Sequence, residues 1–398
     1  MKTATPSKPI NQVTRNQTPL PVIVFAQFAC TSLWFAGNAV IGDIQRELQL
    51  PDTVLGPVTS AVQFGFIVGT MTFALLTIAD RFSPSRVFFG CAIAGAVSNL
   101  GIYLIANSFS SLLLLRFLTG FFLAGIYPVG MKIAADYHEK GLGLALGYLV
   151  GALVLGTAFP HLLRSLTASL AWESAIIVIS GLAVLGGLLI LLLVPDGPFR
   201  RKSSRLDVRA AFAVFRDRTF RSAAFGYFGH MWELYAFWAF VPLLLNTYAT
   251  HHPEVSLNVP LLSFGVIGMG GPACVLGGYL SSRIGSVRTA SVALFISGLC
   301  CLLSLFMFAL PLWLFLPLVL IWGMAVVADS PQFSALVAQS APKESVGTAL
   351  TIVTCVGFSI TIVSIQLLNA LVPITQPSML FLVLAGGPMA GLLAMRRR

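Results

Sequence analysis

The chain has 398 residues, of which 57% are apolar and only 10% charged, and its mean hydropathy is +0.89. A water-soluble domain carries about 25% charged residues, so the composition excludes a soluble globular protein and places the chain in a bilayer. The net charge of +10 would suit nucleic acid, but its placement along the chain assigns it to membrane topology.

The first twenty residues form a polar tail carrying Lys2, Lys8 and Arg15. No short apolar core with a small-residue cleavage site follows. Pro21 instead opens an apolar stretch of full membrane length, read as a retained span rather than a signal peptide. A helix needs about 20 apolar residues to cross the hydrocarbon core. Twelve stretches qualify, near 21–41, 55–79, 87–106, 111–135, 141–166 and 171–194, then 220–249, 258–282, 287–310, 312–338, 344–371 and 376–395. None shows the ten-residue alternation of a membrane strand. The expected organisation is a tail (1–20), a six-helix bundle (21–194), a basic linker (195–219) and a second six-helix bundle with a short basic tail (220–398).

With both termini in the cytoplasm, 21 of the 24 Lys and Arg residues fall on cytoplasmic segments, eight of them in and around the linker. That is the distribution the positive-inside rule requires. Arg46 and Arg164 lie outside, and Arg116 lies within a span. A multi-pass protein of the bacterial inner membrane is expected, monomeric, with the lipid bilayer as a partner and no nucleic acid. The six cysteines all sit in apolar stretches, without a CxxC pair or a Cys/His cluster. Free buried thiols are expected, with no metal and no other cofactor.

The two bundles repeat each other. "ADRFSPSR" (79–86) ends the second span and "SSRIGSVR" (281–288) ends the eighth; Arg81 and Arg86 match Arg283 and Arg288 at an offset of 202. Gly120 pairs with Gly323 and Pro128 with Pro331 at an offset of 203. Parallel repeats of this kind build transporters whose site lies between the halves, near the midplane.

On these residues the chain resembles the major facilitator superfamily over nearly its whole length. "DRFSPSR" is similar to the superfamily's loop signature between helices two and three, with Asp80, Arg81 and Arg86 in place, Leu75 and Leu76 where the upstream glycine is usual, and Ser83 where another glycine is expected. "RFLTGFFLAG" (116–125) resembles the fourth-helix motif, with Arg116 and Gly120 at its spacing. The resemblance implies an all-α membrane protein of 12 transmembrane helices, arranged as two pseudo-symmetric six-helix bundles. It assigns no subfamily.

Ionisable groups inside spans are the informative ones, because a charge at mid-depth costs about 2.5–3.5 kcal/mol on insertion scales. In "FGHMWELYAFW" (228–238), His230 and Glu233 are expected about 15–20 Å into helix seven, at the depth of a transport site and toward an interior cavity. Either a proton-coupling or substrate role, or a static pair pinning helix seven, fits them. Tyr235 is a candidate cavity residue. For Arg116 the resemblance implies proton linkage or anion binding; a hydrogen-bond hub is the structural alternative. Asp329, two residues before Pro331, is expected to gate or brace helix ten where the proline disrupts the backbone ladder.

Lys132 and Asp136 are spaced to pair locally at i,i+4. Asp80, Arg81 and Arg86, with Asp136, make up the remaining gating or structural set. Trp34 and Asn38 on helix one, Gln63 on helix two and Gln366 on helix eleven complete the candidate lining. His161, Arg164 and Glu173 gather near the outer ends of helices five and six, where a surface ion pair is expected. "GVIGMGGPACVLGG" (265–278) lacks a following Lys-Ser/Thr and reads as close packing with a bend at Pro272.

Without a nucleotide-binding or nucleophile–base motif, no enzyme is expected. The reading is a secondary active transporter moving a small solute by alternating access, coupled to protons, with symport and antiport both open. A non-transporting receptor or sensor on the same fold is the alternative.

Overall fold

The computed structural model describes residues 19–138, 142–200, 214–342 and 345–396. The polar tail up to residue 18, Lys140, linker residues 201–213, Lys343 and the last two arginines lie outside the described residues.

Among the described residues the chain is helical throughout, with no strand. The first bundle holds α1 (in pieces Leu20–Thr31, Ala36–Ala39 and Ile41–Glu47), α2 (Leu55–Leu75), α3 (Pro84–Leu104), α4 (Phe109–Leu123 and Tyr127–Tyr137), α5 (Leu142–Leu166) and α6 (Glu173–Leu193). The second holds α7 (Arg218–His251), α8 (Val259–Gly268 and Gly270–Ile284), α9 (Ser286–Met307), α10 (Leu312–Ala328 and Ser330–Ser340), α11 (Val346–Leu371) and α12 (Pro377–Leu380 and Gly386–Met395, joined by a 3₁₀ turn). Ten of these are long and apolar enough to cross a bilayer. The other two are α1, which is broken, and α7, which runs unbroken for 34 residues and carries the internal ionisable groups.

Packing repeats between the bundles. In the first, α1 lies on α5 and α6, α2 on α4, and α3 on α4 and α6; in the second, α7 lies on α11 and α12, α8 on α10, and α9 on α10 and α12. The bundles meet through α2 against α11 and α5 against α8. Gly120 and Gly323 show the repeat at atomic scale. A Cβ on Gly120 would strike the Val62 carbonyl of α2, and one on Gly323 the Val266 carbonyl of α8. Small residues let helix backbones approach this closely in lipid, and the same contact is made twice.

Three breaks have a common cause. A proline removes the hydrogen bond to residue i−4 and its ring crowds that carbonyl. The interruptions in α4, α8 and α10 follow Ala124, Gly268 and Val327 within two residues, four positions before Pro128, Pro272 and Pro331. The bend expected at Pro272 is therefore displaced to Met269. Large apolar side chains such as Val97, Leu104, Phe225, Phe306 and Trp313 remain exposed on the outside of the helices, the surface that lipid covers.

Candidate functional site

The break in α1 is a feature that the apolar pattern does not announce, since no proline stands near it. From Ser32 to Phe35 the α-helical ladder gives way to shorter bonds, Leu33 N–H to the Cys30 carbonyl (3.3 Å) and Trp34 N–H to the Thr31 carbonyl (3.0 Å). Thr31 and Ser32 turn their hydroxyls back onto the Gln27 (2.7 Å) and Ala29 (2.6 Å) carbonyls, a competition that bends helices. The carbonyls of Leu33 and Trp34 are left facing α4. Arg116 satisfies both: Nη1 donates to Leu33 O at 3.2 Å and Nη2 donates to Trp34 O. Gly37 admits the guanidinium, as a Cβ there would lie 3.1 Å from Nε. Arg116 is fully buried, and among the described residues no carboxylate lies at ion-pair distance from it, so its charge is met by main-chain dipoles. The guanidinium thus ties α4 to the main chain at the α1 break.

On the other side of the α1 break, side chains of both bundles meet in an aromatic cluster. Trp34 stacks on Phe358 of α11 (5.6 Å between ring centroids, 27°) and lies 4.9 Å from Phe66 of α2 and 5.5 Å from Tyr235 of α7. Tyr235 in turn lies 5.2 Å from both Trp238 and Phe358, and Phe35 packs edge-on to Trp238. Trp34 Nε1 donates to Gln63 Oε1 (3.3 Å), and Asn38 Nδ2 donates to Thr59 Oγ1 (2.7 Å). So Trp34 and Tyr235 meet between the bundles, Gln63 is tied to them through Trp34, and Asn38 is bonded within the first bundle.

Glu233 does not. Two residues on a helix separate it from Tyr235 by about 200° of rotation, so when Tyr235 faces the first bundle Glu233 faces away. Its Oε1 accepts from Ser297 Oγ (2.6 Å) and Cys301 Sγ (3.2 Å) on α9 and from Trp322 Nε1 (2.6 Å) on α10. The carboxylate is 1% exposed and enclosed within the second bundle, facing α9 and α10.

His230 is likewise turned to α10. Its Nδ1 lies 2.8 Å from Asp329 Oδ1, both side chains 1% exposed, at ion-pair distance but off the alignment of a hydrogen bond. Asp329 is the residue at which α10 is interrupted, so the break predicted from Pro331 delivers the carboxylate to the histidine. His230 Nε2, Asp329 Oδ2 and the nearby buried Gln332 Oε1 have no partner. His230, Asp329 and Glu233 thus form a titratable core in the second bundle, on the α7–α10 contact.

Several local pairings differ from the spacing rule. Lys132 reaches across to Asp80 (3.0 Å) rather than back to Asp136, because Asp136 is packed under the segment after α6. There its carbonyl accepts from Phe199 N–H (3.0 Å). Arg200 donates to the carbonyls of Asp80 (3.2 Å) and Phe82 (2.7 Å), so the "DRFSPSR" loop is held to α4 and to the chain leaving α6. Arg81 and Arg86 are exposed. Arg164 pairs with Asp43 on α1 (3.0 Å), not with Glu173, while His161 is buried rather than at the surface. Gln366 Nε2 donates across the bundles to Ser60 Oγ (2.8 Å).

The sequence reading misses Trp322, Ser297 and Phe358. They sit in apolar runs, and only the partners that the fold brings to them reveal their roles. All six cysteines are free and buried. Among the described residues, no group of three or more His, Cys, Asp or Glu could hold a metal ion.

The profile of the Major Facilitator Superfamily matches residues 23–365. Among curated proteins, an "Uncharacterized transporter" of Buchnera aphidicola subsp. Schizaphis graminum (strain Sg) is 24% identical over 171 residues, covering 42% of this chain and 41% of that protein. The match therefore spans about two fifths of the relative's length. Among solved structures, the nucleoside transporter NupG superposes with a TM-score of 0.69 at 17% identity, over 96% of this chain and 98% of its own. The human organic anion transporter MFSD10 (TETRAN) gives 0.72 at 16% identity, over 95% of this chain and 100% of its own. A bacterial homolog of the human lysosomal transporter Spinster, inward-facing and unoccupied, gives 0.66 at 16% identity, over 95% of this chain and 93% of its own. At such identities the likeness is one of fold.

Proposed function

The chain belongs to the Major Facilitator Superfamily, and from that membership we propose that it is a secondary active transporter. It carries a small solute across the bacterial inner membrane by rocking its two bundles about the inter-bundle plane, with both termini and the 195–219 linker in the cytoplasm.

One observation carries the reading: the firm hydrogen bonds between the bundles cluster at one end. Asn369 Oδ1 accepts from Gly56 N–H (3.2 Å) and its Nδ2 donates to the Thr53 carbonyl (3.0 Å). Gln366 bonds Ser60 (2.8 Å) and Asn258 bonds Ser165 (2.9 Å). All four lie toward the side that the positive-inside rule makes external. Among the described residues, the cross-bundle polar contacts toward the cytoplasm are long, Tyr148 to Tyr279 at 3.5 Å and Cys355 Sγ to the Ile67 carbonyl at 4.0 Å. The firm bonds gathered at the opposite end support alternating access.

Proton coupling is assigned to His230, Asp329 and Glu233. A buried pair with unpartnered Nε2 and Oδ2 atoms can take up or release a proton without first breaking a saturated network, and it sits where α10 is already interrupted. The test uses proteoliposomes loaded with a pH-sensitive dye and challenged with a solute panel. A solute that moves the internal pH in the wild type, and not in Glu233→Gln or Asp329→Asn, supports the assignment; the sign of the change separates symport from antiport. Solute flux with an unmoved internal pH would remove proton coupling from the proposal.

A further inference from the structure

The inter-bundle cluster holds three polar atoms that are buried and have no partner: Gln63 Nε2, Asn38 Oδ1 and Trp238 Nε1. Gln63 and Trp238 are 0% exposed and Asn38 is 6% exposed. Buried polar groups are nearly always hydrogen-bonded, and each exception calls for a physical explanation. Here Gln63 and Trp238 belong to one group of contacting residues, with Asn38 on the neighbouring turn of α1. Gln63 is bonded to the Trp34 ring, Trp238 packs on Tyr235, and Asn38 stands one turn beyond Trp34.

The rings around these atoms are shared between the bundles. Trp34, Phe35 and Phe66 come from the first; Tyr235, Trp238 and Phe358 come from the second. Any rocking that opens the inter-bundle plane separates Trp34 and Phe66 from Tyr235 and Phe358, breaking contacts of 4.5–5.6 Å between centroids. A planar ring entering that gap restores stacking on both sides, and aromatic faces accept such rings regardless of their substituents.

Charge is accounted for elsewhere. Both Nη groups of Arg116 are engaged by the Leu33 and Trp34 carbonyls. Glu233 is directed to α9 and α10, and Asp329 to His230. Arg116 Nε is a further buried donor without a hydrogen-bond partner, set against Gly37 on the far side of the α1 break; the aromatic faces themselves hold two open donors and one open acceptor.

Resting on the transporter reading above, we propose that the solute is a planar, uncharged heteroaromatic ring presenting two hydrogen-bond acceptors and one donor, the pattern on the imide edge of uracil. Gln63 and Trp238 donate to it, Asn38 accepts from it, and the rings of Trp34 and Phe358 stack on its faces. In this role the aromatic cluster is the binding site in its closed, unoccupied form.

The test is equilibrium binding of radiolabelled uracil to the purified full-length protein, with orotate (planar, anionic) and xylose (uncharged, not planar) as competitors. Phe358→Leu keeps an apolar side chain and removes the ring; Trp238→Phe keeps a ring and removes the N–H. Native-like thermal unfolding of both variants establishes that they fold. Saturable uracil binding, resisted by neither competitor's presence and weakened about tenfold or more by Phe358→Leu, is the expected result. Orotate binding as tightly as uracil overturns the uncharged class, with the Arg116 Nε as the obvious reader of the anion. Binding of xylose alone, or uracil binding indifferent to both variants, overturns the planar site. Counterflow in proteoliposomes reports on transport separately. Exchange of non-planar solutes only sinks the substrate class and leaves transport standing, whereas uracil binding without exchange keeps the site and sinks transport.

Discussion

Arg116 on α4 is joined to Trp34 on α1 through the main chain, its guanidinium donating to the Trp34 carbonyl and to that of Leu33. A buried cation therefore stabilises a helix break and, through it, the position of the Trp34 ring at the inter-bundle plane. Arg116→Met fills similar space but strands two carbonyls. Since hydrogen bonds to charged groups contribute about 1.5–3 kcal/mol each, a clear fall in the unfolding temperature in detergent is expected. Arg116→Lys should recover only part of it, because an ammonium is a compact point charge without the planar fork that reaches both carbonyls. Full recovery by lysine would show that charge, not fork geometry, holds the break.

The His230–Asp329 contact lends itself to a double-mutant cycle. Removing one member of a buried ion pair costs about 3–5 kcal/mol, because the other is left uncompensated. His230→Ala and Asp329→Ala are each expected to destabilise strongly, and the double variant by much less than their sum. Additive losses in thermal unfolding would mean that the 2.8 Å approach carries no coupling.

Trp322 anchors the Glu233 carboxylate from α10. Trp322→Phe preserves the stacking on Phe237, 4.5 Å away, and deletes one of three donors to Oε1. A loss of about 1.5–3 kcal/mol in stability is expected for a bond to an ionised carboxylate, and less if the carboxyl is protonated. Measuring the loss at acidic and at alkaline pH distinguishes the two states.

The external latch predicts a change in accessibility. Asn369→Ala removes two cross-bundle bonds, each worth about 0.5–1.5 kcal/mol, so the externally open population should rise by about tenfold. A cysteine placed at Ser60 gives up the Gln366 bond in parent and Asn369→Ala variant alike, so comparing the two by labelling with a membrane-impermeant maleimide on whole cells isolates the effect of Asn369. An unchanged labelling rate would exclude Asn369 as part of the closure.

Gly120 and Gly323 make the same contact in the two bundles, so Gly120→Ala and Gly323→Ala should be similarly harmful, by about 1–3 kcal/mol for overpacking a tight interface. Tolerance of one and not the other, measured by thermal unfolding, would show that the repeat is not energetically equivalent.

Much of the fold could be read from particular residues. Continuous apolar runs announce spans because lipid leaves the backbone no hydrogen-bond partner but itself. Pro128, Pro272 and Pro331 each follow a break by a few residues, whereas Pro160, Pro242 and Pro317 lie inside continuous helices, so a missing N–H permits a break without dictating one. The Gly120/Gly323 offset foretells a duplicated interface. By contrast, the break in α1 has no proline behind it; it rests on Thr31 and Ser32 bonding backward and on an arginine 82 residues away.

Hydropathy and motif spacing along the chain are enough to identify a multi-pass membrane protein of this family, since both are local properties of the sequence. Which way the ionisable groups of a span face depends on the packed fold. Glu233 and Tyr235 are two residues apart, yet one is enclosed by Ser297, Cys301 and Trp322 and the other joins the inter-bundle rings. In an all-apolar span, rotation about the helix axis is set by neighbours rather than by an amphipathic stripe. Lys132 likewise chose Asp80 over the nearer Asp136, because packing against a distant segment had already buried the local partner.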